Sequence, residues 1–304
     1  MRYDYVPLPD RRPLRWPNDA RVALIFTLNL EHWDMVKESS EAYYAGGPPI
    51  LPDPLPGNVI DWPNYSWREY GQRVGIWRLY EAFEEAGCQA SCTINAKTAL
   101  ERPQMVQYAL KRGWEIVAHN YEQGELLVRY AHDEAKERDV IKRTLAVYEK
   151  VVGKKAKGWL SSSLRGTLRT ADILAEEGLI FYCDLMNDDQ PYLIETSSGR
   201  PMVSTPYTNE VNDFTHFHRR GFTTDAVLAL YKEQLDVLWA EGAKTGRMMN
   251  VGLHPHVSGL AYRIRAIREF LAYAKSKPGV WITNREQIAE WYLKNHESHI
   301  PKKR

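Results

Sequence analysis

The chain has 304 residues, of which 44% are hydrophobic and 26% charged, the composition of an ordinary globular protein with one large barrel or two medium domains. Its 40 basic and 39 acidic side chains give a formal net charge of +1, so its composition offers no electrostatic basis for binding nucleic acid or a membrane. No apolar run approaches the roughly 20 residues of a membrane-spanning helix, and no signal-peptide core is visible. With only three cysteines, we expect a cytoplasmic protein with reduced thiols.

Strand and helix patterns alternate from about residue 20 to the end. Residues 21–30 form a continuous apolar run, typical of a strand buried on both faces. Further strands are predicted at 89–95, 114–119, 156–160, 179–183, 202–206, 247–254 and 280–283. Helices are predicted at 71–86, 105–111, 134–152, 170–177, 223–240, 262–276 and 286–293.

This alternation indicates right-handed βαβ units and a parallel sheet. Seven or eight units in this length favour an α/β fold of the closed (β/α) barrel type, and an open doubly wound sheet is the alternative. Neither GxGxxG after a strand nor a P-loop supports that alternative. We predict one domain over 1–304, with an extension at 1–20 and a Pro/Gly-rich loop insertion at about 35–65. For the aromatic run at 62–70 we consider three alternatives: the lining of a pocket, a subunit contact, or a packed surface loop. We also expect a homo-oligomer.

Polar side chains stand at the carboxyl ends of several predicted strands. Asn29 and Glu31 end the first strand, and its period of two places both on the same side. His119 ends the third strand, and His254 ends the penultimate one. Because these strand ends form the active face of a barrel, their clustering predicts a catalytic site.

The segment after the third strand departs from a common metal-binding pattern. His119 is followed four residues later by Gln123, where a second histidine would complete His-x-x-x-His. A carboxamide is a poor metal ligand, so the chain follows the plan of a metal hydrolase with one ligand altered.

Several separated segments together resemble the polysaccharide deacetylase superfamily, which has the NodB-homology fold. The closest branch is that of the cofactor-independent, allantoinase-like amide hydrolases. The similarity extends over about residues 20–295, and the matching segments are 28–31, 66–73, 119–123, 187–192, 206–213 and 253–254. The resemblance implies a distorted barrel of seven or eight β/α units and a hydrolase of carbon–nitrogen bonds other than peptide bonds.

The resemblance also implies roles for individual residues. Asn29 occupies the position of the family's general base, Glu31 that of a metal ligand and His254 that of the general acid. His119 and Gln123 match the two metal histidines. An amide cannot accept a proton from water, and a catalytic zinc site normally needs three good ligands. We therefore expect no cofactor. The alternative is one divalent ion (Zn, Mn or Ni) on Glu31, His119 and Gln123, with Glu122 or Glu125 as a substitute third ligand.

Without a metal, amide hydrolysis still requires an activated water, a polarised carbonyl and a proton for the leaving nitrogen. Glu31 is the candidate base, and His119 or His254 the candidate acid; the sequence does not decide which residue has which role. The alternative for Glu31 is an ion pair with an arginine such as Arg73 or Arg165. The substrate-binding residues that we predict are Asn29, Trp33, Tyr121, Arg165, Asn187 and Tyr207.

Three functions fit these observations. The first is hydrolysis of a non-peptide carbon–nitrogen bond in a small cyclic or linear amide or ureide. The second is metal-dependent deacetylation of an N-acetylated carbohydrate. The third is a non-catalytic barrel that binds a metabolite. The altered ligand set favours the first, with a small molecule as the partner.

Overall fold

The computed structural model describes residues 3–34, 50–51 and 59–300. The loop insertion predicted at about 35–65 lies largely outside these residues. No helix within the described ranges is long and apolar enough to cross a lipid bilayer.

One sheet organises the described part of the chain. Its strands are β1 (Val22–Leu30), β2 (Ser91–Ile94), β3 (Glu115–Ala118), β4 (Gly158–Trp159), β5 (Phe181–Tyr182), β6 (Tyr192–Ile194), β7 (Met202–Ser204), β8 (Arg247–Leu253) and β9 (Val280–Thr283). The strand order is β6-β7-β5-β4-β3-β2-β1-β8, and β9 pairs with the first half of β1. All these pairs are parallel except β6 with β7.

The sheet curls until the segment after β7 reaches β8. Asn212 forms a parallel bridge with Gly252, and the Gly252 N–H donates to the Val211 carbonyl at 2.9 Å. A Cβ at position 252 would lie 2.3 Å from the Tyr207 hydroxyl, so this close approach requires glycine. The predicted α/β fold of distorted (β/α) barrel type is confirmed, and irregular backbone completes the wall between β7 and β8.

Helices cover the outside of the sheet. They are α1 (Trp62–Tyr70), α2 (Ile76–Ala86), α3 (Ala96–Glu101), α4 (Pro103–Lys111), α5 (Glu134–Val152), α6 (Thr170–Glu176), α7 (Thr224–Glu241), α8 (Pro255–Ser258), α9 (Ile264–Ser276) and α10 (Arg285–Asn295). A wide helical turn at Gly71–Gly75 joins α1 to α2. The prediction of a surface loop for the aromatic run at 62–70 is therefore wrong. Residues 62–70 form a helix, and Asp61 caps it by accepting from the Asn64 N–H.

The two faces of β1 have different partners. Its even-numbered residues from Val22 to Leu30 pack in the core shared with the helices. Ala23 and Ile25 belong to a second cluster inside the barrel. The odd-numbered face continues with Thr27, Asn29 and Glu31, so it changes from apolar to polar towards the carboxyl end. This continuous apolar run therefore delivers a carboxylate to the barrel mouth.

The opposite end of the barrel is closed by α10 and by the chain before β1. Ile288 and Tyr292 of α10 lie in the inner apolar cluster together with Leu14 and Trp16. The Trp16 indole N–H donates to the Arg247 carbonyl at 2.9 Å. The described part of the predicted extension thus packs against the barrel floor, which leaves the other mouth for a ligand.

Candidate active site

Glu31 stands at the centre of the barrel mouth, immediately after β1. Its side chain is buried, and its Oε1 lies 3.8 Å from the Nε2 atoms of both His119 and His254. The structure therefore brings together the three residues predicted to be catalytic. In the described ranges no arginine forms an ion pair with Glu31, and Arg73 instead lies 4.0 Å from Glu69.

His254 is oriented by an aspartate from the segment after β7. Its Nδ1 lies 2.7 Å from Asp213 Oδ1, and its backbone N–H donates to Asp213 Oδ2 at 2.7 Å. The Ser258 hydroxyl also donates to Asp213 Oδ2. Burial lowers the pKa of His254, but the Asp213 and Glu31 carboxylates together more than offset it, and the pKa is raised above its usual value. His254 is thus favoured as a cationic proton donor whose Nε2 faces Glu31.

His119 presents the opposite hydrogen-bonding character. Its Nδ1 lies 2.6 Å from the Leu160 carbonyl, which accepts only a hydrogen bond and therefore selects the tautomer with a proton on Nδ1. The Nε2 of the neutral ring then carries a lone pair. Within the described ranges that atom has no hydrogen-bond partner, although it is buried. His119 is thereby arranged as an acceptor towards the cavity.

Three buried atoms at this mouth have no hydrogen-bond partner among the described residues: Glu31 Oε2, His119 Nε2 and Gln123 Oε1. All three side chains line the same cavity. Leaving a buried polar atom unpaired costs about 1–3 kcal/mol, so such a group of atoms marks a place where water or substrate binds. Each of the three is an acceptor, which favours a ligand that presents N–H or O–H groups.

Asn29 lies beside this group, but its amide is already used. Its Nδ2 donates to the Tyr207 hydroxyl at 3.1 Å and to the Leu253 carbonyl at 3.2 Å, and its Oδ1 accepts from the Thr93 hydroxyl. Both amide hydrogens are engaged, so Asn29 is not a free donor for a developing oxyanion. It fixes the ring of Tyr207 in the cavity wall instead.

The cavity above Glu31 has a volume of about 160 Å³. Of the predicted substrate-binding residues, Asn29, Arg165 and Tyr207 line it. Arg219, which the sequence analysis did not select, is a second guanidinium in the lining. The space suits a small molecule, because it is below the roughly 300–1,000 Å³ of drug-sized sites.

The structure does not bring three other predicted substrate-binding residues to this cavity. Trp33 is buried between the guanidinium of Arg68, 4.7 Å from its ring centroid, and the ring of His256 at 5.3 Å. The ring of Tyr121 packs under the Arg143 guanidinium at 4.3 Å. Asn187 accepts from the Tyr192 hydroxyl and lines a separate cavity of about 490 Å³. All three residues follow strand ends, as the sequence indicated, but the loops direct their side chains away from this cavity.

The residues at this mouth do not fit a three-ligand catalytic metal ion. No group of three or more His, Cys, Asp or Glu side chains with metal-binding geometry occurs in the part of the chain that the structure describes. Glu122 lies 3.2 Å from Lys97 Nζ, and Glu125 pairs with Arg143. Both glutamates that were considered as a replacement for the third metal ligand therefore form ion pairs with basic side chains. Because His254 is paired with Asp213 and serves as the proton donor, what remains is the Glu31 carboxylate, the His119 imidazole and the Gln123 carboxamide, which is a weak ligand set.

Polar side chains from neighbouring elements hold the catalytic backbone in place. Asn95, which follows β2, accepts from the His32 N–H and donates to the His119 carbonyl, so it ties the ends of β1 and β3 together. Gln72, in the wide turn after α1, donates to the Glu31 carbonyl at 2.8 Å. The 66–73 segment thus supports the loop that carries Glu31.

Asp213, like Arg219, is a residue of the site that sequence reasoning missed. It belongs to the 206–213 segment that carries the family resemblance, but it lies 41 residues before His254. A single sequence does not show which distant histidine a strand-end aspartate will contact. The available signal was the coincidence of an acidic residue after one strand and a histidine after the next.

Comparisons with known proteins place the chain in a family. No family model matches it. It is 27% identical over 309 aligned positions to a Schizosaccharomyces pombe protein assigned as a polysaccharide deacetylase, with 92% of this chain and 93% of that protein covered. PuuE allantoinase has the same fold with a TM-score of 0.83 and 30% identity, over 95% and 94% of the two chains. A protein of Pseudomonas aeruginosa PAO1 assigned to the polysaccharide deacetylases has a TM-score of 0.81 and 29% sequence identity, with 95% of each chain covered.

These similarities extend over nearly the whole chain and agree with the resemblance that the strand-end segments carry. The chain therefore belongs to the polysaccharide deacetylase superfamily, in its allantoinase-like branch, and is a hydrolase acting on carbon–nitrogen bonds other than peptide bonds.

Proposed function

We propose that this protein hydrolyses a small cyclic or linear ureide or amide by attack of a water that Glu31 activates. The observation that carries the proposal is the position of Glu31, whose Oε1 lies 3.8 Å from two imidazoles at the base of a small cavity. A buried carboxylate between a proton donor and a lone-pair acceptor is the arrangement that general acid–base hydrolysis needs.

The proton path follows from the hydrogen bonds. Glu31 takes a proton from water as the water oxygen forms a bond to the carbonyl carbon, which gives a tetrahedral adduct. His254, held protonated by Asp213, donates its Nε2 proton to the nitrogen as the carbon–nitrogen bond breaks. The products are a carboxylic or carbamic acid and an amine. The proton on Glu31 then returns to His254, which restores both groups.

His119 and Gln123 orient the reactants in this proposal. The lone pair of His119 Nε2 and the Gln123 carbonyl oxygen accept hydrogen bonds from the attacking water or from substrate N–H groups. A ureide supplies such N–H groups on both sides of its carbonyl, whereas an N-acetyl sugar supplies one. This difference supports a ureide, and the name of PuuE allantoinase points to the same class of compound.

Turnover of a panel of ureides, imides and N-acetylated sugars, measured with and without chelator, tests the proposal. We expect hydrolysis of at least one ureide or imide, undiminished by chelator. Sugar deacetylation that disappears with chelator would support the metal-dependent alternative. Tight binding without turnover would support the non-catalytic alternative.

We also propose that the protein works in the cytoplasm as a homo-oligomer. Cys88, Cys92 and Cys183 are buried and free, which suits a reducing compartment. Trp62 is 59% exposed on α1, which offers a contact for a second copy. Cell fractionation tests the location, and light scattering after gel filtration tests the assembly.

A further inference from the structure

We infer that the substrate carries a negatively charged carboxylate, which Arg165 and Arg219 bind at the mouth of the cavity. This inference rests on the proposed function for the identity of the reacting bond, and it adds a second recognition element to that substrate.

The charge of the cavity lining is the first observation. Among the described residues of the lining, Arg165 and Arg219 are cationic and Glu31 is the one carboxylate. Asp213, which neutralises His254, lies behind it and is not part of the lining. The described part of the lining therefore has a net positive charge even when Glu31 is ionised, and a neutral ureide would leave this charge unmatched.

The second observation is the set of contacts that the two guanidinium groups make. In the described ranges, neither Arg165 nor Arg219 forms an ion pair or a side-chain hydrogen bond with the protein; Arg219 rests over the Phe214 ring at 5.4 Å. Two other surface arginines, Arg138 and Arg265, each bind two carboxylates instead. The two guanidinium groups at the cavity thus keep their donors available for a ligand.

The third observation is the backbone that presents Arg165. Ser163 and Leu164 both have left-handed backbone angles, with φ of 55° and 58°. Consecutive left-handed residues other than glycine are unfavourable, and such strain occurs preferentially at binding sites. Ser163, Leu164 and Arg165 all line the cavity, so the strained turn forms part of its wall.

These elements give the substrate a polarity. Its N–H groups face the acceptors at the base of the cavity, namely Glu31, His119 and Gln123. Its carboxylate faces the two arginines. Ureido acids and hydantoins with a carboxylate side chain have this arrangement, because a planar carboxylate matches the donor fork of a guanidinium.

Binding of matched acid and amide pairs tests the inference without requiring turnover. The pairs are N-carbamoylglycine, N-carbamoylalanine and hydantoin-5-acetic acid, each against its neutral carboxamide, titrated by calorimetry. We expect the acid of at least one pair to bind ten- to a hundredfold more tightly, as for hydrogen bonds to charged groups. Because exposed charges are screened, this preference should shrink as sodium chloride is raised above about 0.1 M.

Variants identify the residues that recognise the charge. Arg165→Gln and Arg219→Gln should each lose most of the preference for the acid while keeping the affinity for the amide. Arg220→Gln is the matched control, because Arg220 is exposed, follows Arg219 and lies 3.9 Å from Glu210 outside the cavity. It should bind like the unmodified protein.

Equal binding of acid and amide in all three pairs, or no binding of either, would overturn the inference. So would an equal effect of the Arg220 control. A clear preference for the acid without hydrolysis of any pair would contradict the proposed function but leave the inferred carboxylate site standing. Hydrolysis of the neutral amides at the rate of the acids would contradict the inferred carboxylate site but leave the proposed function standing.

Discussion

The two ends of the barrel interior use buried glutamates in opposite ways. At the closed end, both carboxylate oxygens of Glu115 are occupied: they accept from the Ser91 hydroxyl and from the backbone N–H groups of Arg285 and Glu286. At the open end, Glu31 Oε2 has no hydrogen-bond partner in the described ranges. Both side chains are about equally buried, at 6% and 5% exposure.

This difference shows what each end contributes. Glu115 caps the start of α10 and helps to close the floor, so its hydrogen bonds contribute to folding. Glu31 keeps an oxygen unpaired at a free-energy cost, which is reasonable only where a ligand completes the hydrogen bonding. The same residue type therefore supports structure at one end and chemistry at the other.

Glu31→Gln should give the largest effect and separate the two ends most clearly. The variant has no general base, so we expect kcat to fall by about 10²- to 10⁴-fold, while the free energy of unfolding stays the same or rises. His119→Ala should also abolish turnover while leaving the fold intact. Steady-state kinetics on the substrate found in the panel, together with urea unfolding, measure both quantities. Near-normal turnover in either variant would refute the assigned roles.

Glu115→Gln is the matched change at the closed end. The carboxamide keeps one acceptor and turns an N–H group towards the donors of α10, so the free energy of unfolding should fall by about 1–3 kcal/mol. Burial raises the pKa of Glu115 although Ser91 and Arg285 counteract it, so the contribution of Glu115 to stability is largest at low pH and decreases as the pH rises through that pKa. The loss in the variant should therefore be largest at low pH. Turnover per folded molecule should not change. A variant that unfolds normally but turns over slowly would mean that the two ends are not separate.

Asp213→Asn should produce a smaller, pH-dependent effect. Asp213 raises the pKa of His254, so its removal lowers that pKa. The acid form of His254 is lost as pH rises through the pKa of the folded protein; in the variant this loss starts at lower pH. We expect the alkaline limb of the kcat/KM profile to move to lower pH, with a loss of rate along that limb. Identical alkaline limbs would show that another group supplies the proton.

The sequence predicted the strands better than the destinations of loop side chains. The period of two along β1 placed Asn29 and Glu31 at the mouth, and His119 and His254 followed from the strand ends. Beyond a strand end this regular geometry is lost, so Trp33 and Asn187 could not be placed. Asp213 depends on a contact between two loops, which no local pattern encodes. The helix at 62–70 was missed because its aromatic residues and Pro63 do not show a helical period.

The last and smallest expected effect is that of a chelator on the unmodified protein. A catalytic ion needs about three protein ligands and an open position for water. The open end provides Glu31, His119 and the weak donor Gln123, while Lys97 and Arg143 engage the neighbouring glutamates. We therefore expect excess chelator to leave turnover unchanged.

Gln123→His makes this expectation decisive, because it restores a second imidazole four residues after His119. The variant should bind zinc measurably more tightly than the unmodified protein in a competition titration with a chelating dye, whatever its activity. Stoichiometric zinc, manganese or nickel in the unmodified protein, with turnover lost on its removal and regained on its return, would contradict the prediction. In that case the unpaired oxygen of Glu31 would be a metal ligand, and the unpaired acceptors at the open end of the barrel would bind an ion instead of the substrate.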